Sequence, residues 1–472
     1  MMWSSRSRYL LSLAAVVAAA ALLHGQNIDL VILNGRVLDP ESGFDGVANV
    51  AIAGGKVVAI SRDRLTGRAS IDASGLVVSP GFIDLHAHGQ TEETYAYQAL
   101  DGVTTALELE LGTADIEGWY NERKAGRLVN YGVSIGHIPV RMAVMRDPGR
   151  LFPTGDAAHR AASPEEIESI ARRIRDGLKS GAVNIGAGFP YTPAATEDEL
   201  LAVFRVAAEF RAPVHAHIRR GVPGLTQALR LVAATKAPLH VVHLNAAGVA
   251  ETPALLDMIV DVQKRGADVS AEAYPYAAGM TEIQSANLDE YATAPPDAVA
   301  RLEWPRTGER LTPETFKKYR QMGGPVVIHS NTEAMVALAV NSPLTMIASD
   351  AYWENGTGHP RTTGTHARVL GRYVRDARSL TLMDAIRKMT LMPARRLEAH
   401  VPSMQTKGRL RVGADADITV FDEARVIDRS TYREPGLPPA GIRHVVVNGV
   451  AVVQNGQLVK DVAPGGPIRG RF

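Results

Sequence analysis

The sequence predicts a (β/α)8 barrel joined to a small β-sandwich built from both ends of the chain. Three observations carry that prediction. Eight short apolar runs alternate with helical patterns through the middle of the chain, glycine-punctuated hairpin patterns occur only near the two ends, and the middle runs finish on histidines and carboxylates. An open doubly wound sheet is the alternative for the middle, but no glycine-rich phosphate loop follows its first strand.

The chain has 472 residues, 46% of them hydrophobic, which allows one large core and a second small domain. At the N-terminus Arg6 and Arg8 precede an apolar run from Tyr9 to Leu23, followed by His24-Gly25-Gln26. A charged start, a run too short for a comfortable span and a small residue at its end predict a cleaved signal peptide over 1–25. An uncleaved anchor is the alternative. Cleavage implies an exported protein, periplasmic or secreted, with no stable membrane insertion afterwards. It would remove Arg6 and Arg8, taking the basic residues from 51 to 49 against 50 acidic ones, so no charge excess calls for nucleic acid. The absence of cysteine excludes disulfides, thiolate zinc sites and a cysteine nucleophile.

Residues 26–79 read as the first part of the sandwich: Leu30-Val31-Ile32-Leu33 before Asn34-Gly35, Val50-Ala51-Ile52-Ala53 before Gly54-Gly55, then Val57-Val58-Ala59-Ile60. Residues 401–472 repeat the texture, with strands at Asp417–Phe421, His444–Val447 and Val450–Val453 and turns at Asn448-Gly449 and Asn455-Gly456. Between them, 80–400 read as the barrel, with strands at 82–86, 103–110, 132–137, 182–186, 213–217, 239–243, 267–272 and 345–349. Ser163-Pro164-Glu165-Glu166 and Thr196-Glu197-Asp198-Glu199 carry helix-start chemistry, each with a glutamate three residues after the cap. The stretch 277–325 is too long for an ordinary connection and reads as an insertion over the barrel mouth. Val326–His329 is then an accessory strand or a miscounted barrel strand.

Barrel chemistry sits at the C-terminal strand ends. The first strand ends Asp84-Leu85-His86-Ala87-His88, and side chains two apart in a strand share a face. Two imidazoles aimed at one point make half of a first-row metal site, with zinc the commonest occupant. The second strand ends on Glu108 and Glu110, the fifth on His215 and His217, the sixth on His243 and the eighth on Asp350. Taken singly, each has a plain reading: His215 as a core residue, Glu108 or Glu110 paired with an arginine, Asp350 as a helix cap. His24, His159, His400 and His444 lack such neighbours and read as structural or exposed. Five strand ends offering His, Glu, His, His and Asp to one centre favour a metal site.

Pro80 through His88, His217-Ile218-Arg219, Val242-His243-Leu244, Tyr274-Pro275-Tyr276, Ser349-Asp350 and His359-Pro360-Arg361 together resemble the amidohydrolase superfamily, and within it the N-acyl-D-amino-acid deacylases. Gly136-His137, Gly371-Arg372-Tyr373 and the tail from Gly408 through Val453 extend the likeness. The resemblance implies a barrel with a terminal β-sandwich, one or two zinc ions and hydrolysis of N-acyl-D-amino acids. By position it implies His86 and His88 at a first metal position and His217 and His243 at a second. Asp350 becomes a ligand and the general acid/base, and Arg361 the holder of the substrate carboxylate. His137, Tyr274 and Tyr276 become further substrate contacts. Two departures stand out. The deacylases usually place a cysteine ligand at the end of the second strand, so Glu110, or alternatively Glu108, takes its place here. Asn245 stands where relatives often have a lysine that helps hold the substrate carboxylate, so it becomes a further substrate contact here. The fourth strand, Gly181 to Gly186, lacks the lysine that bridges two metals elsewhere in the superfamily, so one or two metals stays open.

The resemblance implies a small N-acyl amino acid as substrate, an acidic one such as N-acyl-D-glutamate included. Dipeptides, isoaspartyl dipeptides and cyclic amides are the alternatives with the same site. A reading from another class is a non-catalytic exported metal- or ligand-binding protein.

Overall fold

The computed structural model describes residues 27–472, so the predicted signal segment lies outside the described residues. Eight parallel strands follow in sequence order: β1 (Phe82–Asp84), β2 (Val103–Thr113), β3 (Asn130–Gly136), β4 (Ile185–Gly188), β5 (Val214–His217), β6 (Leu239–Val241), β7 (Val269–Ala273) and β8 (Thr345–Ile347). The ring closes just past the ends of β1 and β8. There His88 N donates to Ala351 O (2.9 Å) and Ala351 N donates to His86 O (3.3 Å). Asp84 staples the same seam, accepting from Ser349 N (3.0 Å) and from Gln98 Nε2 (3.1 Å). The alternating segment is therefore a barrel and not an open sheet.

Helices between the strands follow the cap chemistry. Ser163 and Glu166 form a reciprocal capping box that starts the helix Pro164–Lys179. Thr196 caps Glu197–Phe210 by accepting from Glu199 N (3.3 Å). The Glu199 side chain, however, turns into the core instead of back to the cap, because a buried cation lies there to receive it.

The two ends of the chain meet in one sheet. Its hydrogen bonding runs unbroken from Gln457–Leu458 through Val450–Gln454, Ile442–Val447, Ile418–Phe421, Val77–Pro80, Leu30–Asp39 and Phe44–Ala53 to Lys56–Ser61, with Ala69–Asp72 beside Leu30–Asp39. Both ends of the chain thus contribute to one unit, its hydrogen bonding continuous across them. Its halves join where Val77–Pro80 pairs antiparallel with Ile418–Phe421. Val77–Pro80 then runs through Gly81 into β1, so the sheet holds the first barrel strand directly. A Cβ at Gly81 would lie 2.3 Å from Thr104, and only glycine fits that crossing. Buried Lys407 reinforces the junction by donating to Asp417 Oδ2 (2.6 Å), which also accepts from Asn130 Nδ2 at the start of β3 (3.0 Å).

The insertion is a folded unit that continues to His329, four residues beyond its expected end. Ala278–Glu282, Leu302–Trp304, Glu309–Arg310 and Pro325–His329 form a four-stranded sheet around a small core with Leu288, Phe316 and Tyr319. Val326–His329 is thus accessory, and β8 starts later at Thr345. No helix among the described residues is long and apolar enough to cross a membrane.

Candidate metal centre

β2 alternates Leu107 and Leu109, which bury in an apolar cluster with Ile83, Leu85 and Val183, against Glu108 and Glu110 on its opposite face. Between Glu108 and Thr113 the strand slips register against β3, a bulge that re-aims its end. The neighbours make room with glycine: a Cβ at Gly186 would lie 2.1 Å from Glu110 O, and one at Gly136 would lie 1.8 Å from Leu111 O.

Glu110 stands at the centre of the result. Its Oε2 is 2.6 Å from His86 Nε2, 3.5 Å from His88 Nε2 and 3.8 Å from His243 Nε2, while its Oε1 is 2.9 Å from His217 Nδ1. Asp350 Oδ1 lies 3.5 Å from His86 Nε2 and 3.3 Å from His88 Nε2. Two groups result, His86, His88, Glu110 and Asp350 on one side and Glu110, His217 and His243 on the other, each able to point its ligand atoms at one cation and sharing Glu110. His243 and Asp350 reach these positions with left-handed backbones, φ 34° and 53°, a conformation that costs a non-glycine residue about 1–3 kcal/mol and gathers at functional sites.

The far nitrogens of the first pair are also held. His88 Nδ1 is 2.6 Å from Glu108 Oε2, and His86 Nδ1 is 2.6 Å from Glu272 Oε1 on β7. Glu272 Oε2 is in turn 3.0 Å from His240 Nε2, whose Nδ1 is 2.8 Å from Ser270 Oγ. Such carboxylates fix the proton on Nδ1 and present Nε2 as a lone pair, the arrangement usual behind metal-binding histidines. Glu108 therefore supports His88 and does not join the ring. His215 is a fully buried core residue packed against His240, with ring centroids 4.4 Å apart and planes tilted by 30°.

Charge in the site asks for a cation. Burial works against a charged His86, yet Asp350, Glu272 and Glu110 outweigh it and push the imidazole up to about 10. Burial would raise Glu272 too, but His86 and His240 bring it down to about 2. His243 is pushed the other way, to about 3, by burial and by the neighbouring His217 ring, which leaves it neutral with a lone pair to give. Its Nδ1 is buried without a partner. Imidazole and carboxylate donors without thiolate, drawing protons onto one histidine, fit a divalent first-row ion.

Behind Asp350 lies Arg361, fully buried, with Nη2 2.8 Å from Asp350 Oδ2 and Nε donating to Asp350 O (2.5 Å). The guanidinium sits 4.6 Å from the centre of the Tyr274 ring. Over the metal groups opens a cavity of about 120 Å³, with Phe152, Tyr191, Tyr274, Met280 and Tyr352 in its walls. Tyr191, like Glu272, is a residue that sequence reasoning missed. It packs edge-on against His217 with centroids 5.1 Å apart, and Thr281 Oγ1 donates to its hydroxyl (3.2 Å), leaving the phenolic proton free. Burial and the Glu110 charge raise its pKa well above normal, so it stays a donor.

Three expected substrate contacts lie elsewhere. His137 begins a helix behind β3 and is fully buried with Nε2 2.7 Å from Glu199 Oε1; Glu199 also bonds the buried Arg141. Arg141 needs a countercharge in the core, and the Glu199–His137 pair supplies it. Tyr276 hydrogen-bonds Asp428 Oδ2 (3.2 Å) under the Arg368 guanidinium, joining the barrel to the C-terminal segment. Asn245 clamps a backbone: its Nδ2 donates to Tyr274 O (3.1 Å) and its Oδ1 accepts from Tyr274 N (3.4 Å), so it places Tyr274 without facing the cavity.

A profile of the Amidohydrolase family matches residues 69–453. The chain is 31% identical to an N-acyl-D-glutamate deacylase of Alcaligenes xylosoxydans xylosoxydans over 90% of this chain and 94% of that protein. A D-aminoacylase of the same organism is 29% identical over 91% and 95%. The fold superposes with a TM-score of 0.81 on the crystal structure of N-acyl-D-glutamate deacylase from Bordetella bronchiseptica, 26% identical over 94% of this chain and all of that one, solved with zinc and a phosphonate inhibitor that mimics the tetrahedral intermediate. With a match of that length around this ring of histidines and carboxylates, the chain belongs to the Amidohydrolase family.

Proposed function

We propose that the chain is a zinc-dependent deacylase that hydrolyses the amide bond of N-acyl-D-amino acids. The observation that carries this reading is Glu110, one carboxylate shared by two groups of ligands at the mouth of the barrel. The names of the curated relatives and the zinc in the superposed structure support it. His86 and His88 would hold one ion with Asp350, and His217 and His243 the other, with Glu110 between them. Zinc held there supplies a polarising charge for the scissile carbonyl and lowers the pKa of water toward neutrality.

The chain's own residues supply the rest. Arg361 keeps Asp350 ionised, so an Asp350 carboxylate oxygen takes a proton from the attacking water and returns it to the leaving nitrogen. The Tyr191 hydroxyl donates toward the oxygen that gains charge. Arg361 and Tyr274 mark the β7–β8 side of the mouth as the seat of the substrate carboxylate.

Kinetics on N-acyl-D-, N-acyl-L- and dipeptide substrates, D-glutamate derivatives included, with metal content measured in parallel, test the proposal. D-selective deacylation that needs metal supports it. L-preference without D-activity refutes it, and turnover confined to dipeptides or cyclic amides moves the site to another bond.

A further inference from the structure

The cavity over the metal groups does not end at its own walls. Pro190, Arg220, Asn287 and Ile328 line it and also line a second, larger cavity of about 320 Å³, so the two share a boundary. The second cavity is bounded further by Leu288 and Tyr291 of the insertion, an apolar stretch that suits methylene groups.

Arg220 stands on that shared boundary. Its neighbour Arg219 is committed to the fold, bonding Gln227 and donating to Pro193 O (3.3 Å). Arg220 is exposed and takes part in no ion pair or side-chain hydrogen bond among the described residues. Glu290 is the one carboxylate lining the second cavity, and it forms no ion pair with Arg220. An unpaired guanidinium that shares this lining with the Asn287 amide, next to Leu288 and Tyr291, offers donors suited to a carboxylate.

Its place in the ring decides which end of the substrate it meets. Arg361 belongs to the segment after β8, whereas Arg220 follows β5, three strands away. A substrate with its amino-acid carboxylate on the β8 side points its acyl group toward β5.

We infer that Arg220 and the second cavity form an acyl subsite that takes the distal carboxylate of a dicarboxylic acyl group. The substrates it favours are N-succinyl- or N-glutaryl-D-amino acids, whose hydrolysis releases a D-amino acid and a dicarboxylic acid. This inference rests on the deacylase reading.

The test is a series on one D-amino acid: N-acetyl, N-pentanoyl, N-succinyl and N-glutaryl, each assayed with the zinc-loaded enzyme. N-succinyl or N-glutaryl exceeds N-pentanoyl in kcat/KM by about tenfold, as expected for one charge-assisted contact at a partly wetted site. The difference lies mainly in KM and shrinks with added salt. Arg220→Gln brings the ratio to about one. A wild-type ratio at or below one, or a ratio that survives Arg220→Gln, overturns the subsite while leaving the deacylase reading in place. No turnover of any member overturns the deacylase reading itself, and the subsite with it.

Discussion

Replacing Glu272 by glutamine separates the charge behind the first metal position from its hydrogen bonds. The carboxylate receives His86 Nδ1 at 2.6 Å and His240 Nε2 at 3.0 Å in a site closed to solvent. Glutamine can keep both contacts. Its oxygen accepts from His86 Nδ1, and its amide donates to His240 Nε2 once His240 carries its own proton on Nδ1 toward Ser270 Oγ. The fold therefore stays intact while one negative charge behind His86 is lost. Removing a partner of this kind costs about 10- to 100-fold in metal affinity, or roughly 1.4–2.7 kcal/mol. The loss falls on the position held by His86 and spares the one held by His217 and His243. Competition against a chelator, resolving the two equivalents, measures it, with melting of the metal-free protein as the control for folding. If Glu272→Gln binds both equivalents as tightly as wild type, or weakens both equally, the role assigned to Glu272 is wrong.

Glu110→Ala lowers metal content at both positions, whereas Glu108→Ala weakens only the His88 side, and elemental analysis of dialysed protein distinguishes them. Asp350→Asn retains metal on His217 and His243 and loses about 10²-fold or more in kcat. Glu199→Ala leaves Arg141 uncompensated in the core and costs about 3–5 kcal/mol in denaturant unfolding, without altering zinc content. In the metal-free protein the His86 pKa is raised from 6.5 to about 10, so its contribution to stability is full below pH 6.5 and is lost as pH rises through about 10. The same proton must leave when metal binds. Calorimetry in buffers of different ionisation heat then shows proton release at pH 7 and an affinity that climbs with pH; an affinity flat from pH 7 to 9 contradicts this.

Much of the site is legible in the sequence because strand ends converge in a barrel, so residues far apart in the chain can be read as one set. His86, His88, Glu110, His217, His243 and Asp350 come together on that logic alone. Glu110 and not Glu108 sits at the centre beside the β2 bulge, where five residues of β2 oppose two of β3, and such a slip leaves no mark in an alternating run of Leu and Glu. His137, Tyr276 and Asn245 occupy strand-end positions like the others, yet their partners, Glu199, Asp428 and the Tyr274 backbone, come from segments whose packing no spacing reveals. Glu272 carried a signal, since the expected seventh strand over 267–272 finishes on it, a carboxylate in a buried run. The union of both ends in one sheet is legible in their matching Asn-Gly hairpin turns, but the pairing that makes it is not. Its halves join through a pairing of Val77–Pro80 with Ile418–Phe421, across most of the chain.

The seam that closes the barrel has a consequence for how the protein acquires its metal. The backbone of His86 and His88 is itself the edge that binds Ala351 next to Asp350. Until β8 docks, the first position has neither its fourth ligand nor a fixed pair of histidines. Glu110, His217 and His243 come from β2, β5 and β6, all made before residue 345, and need no closed ring. The Glu110, His217 and His243 group is thus complete in a sheet that is still open, whereas the His86, His88 and Asp350 group exists only once the ring has shut.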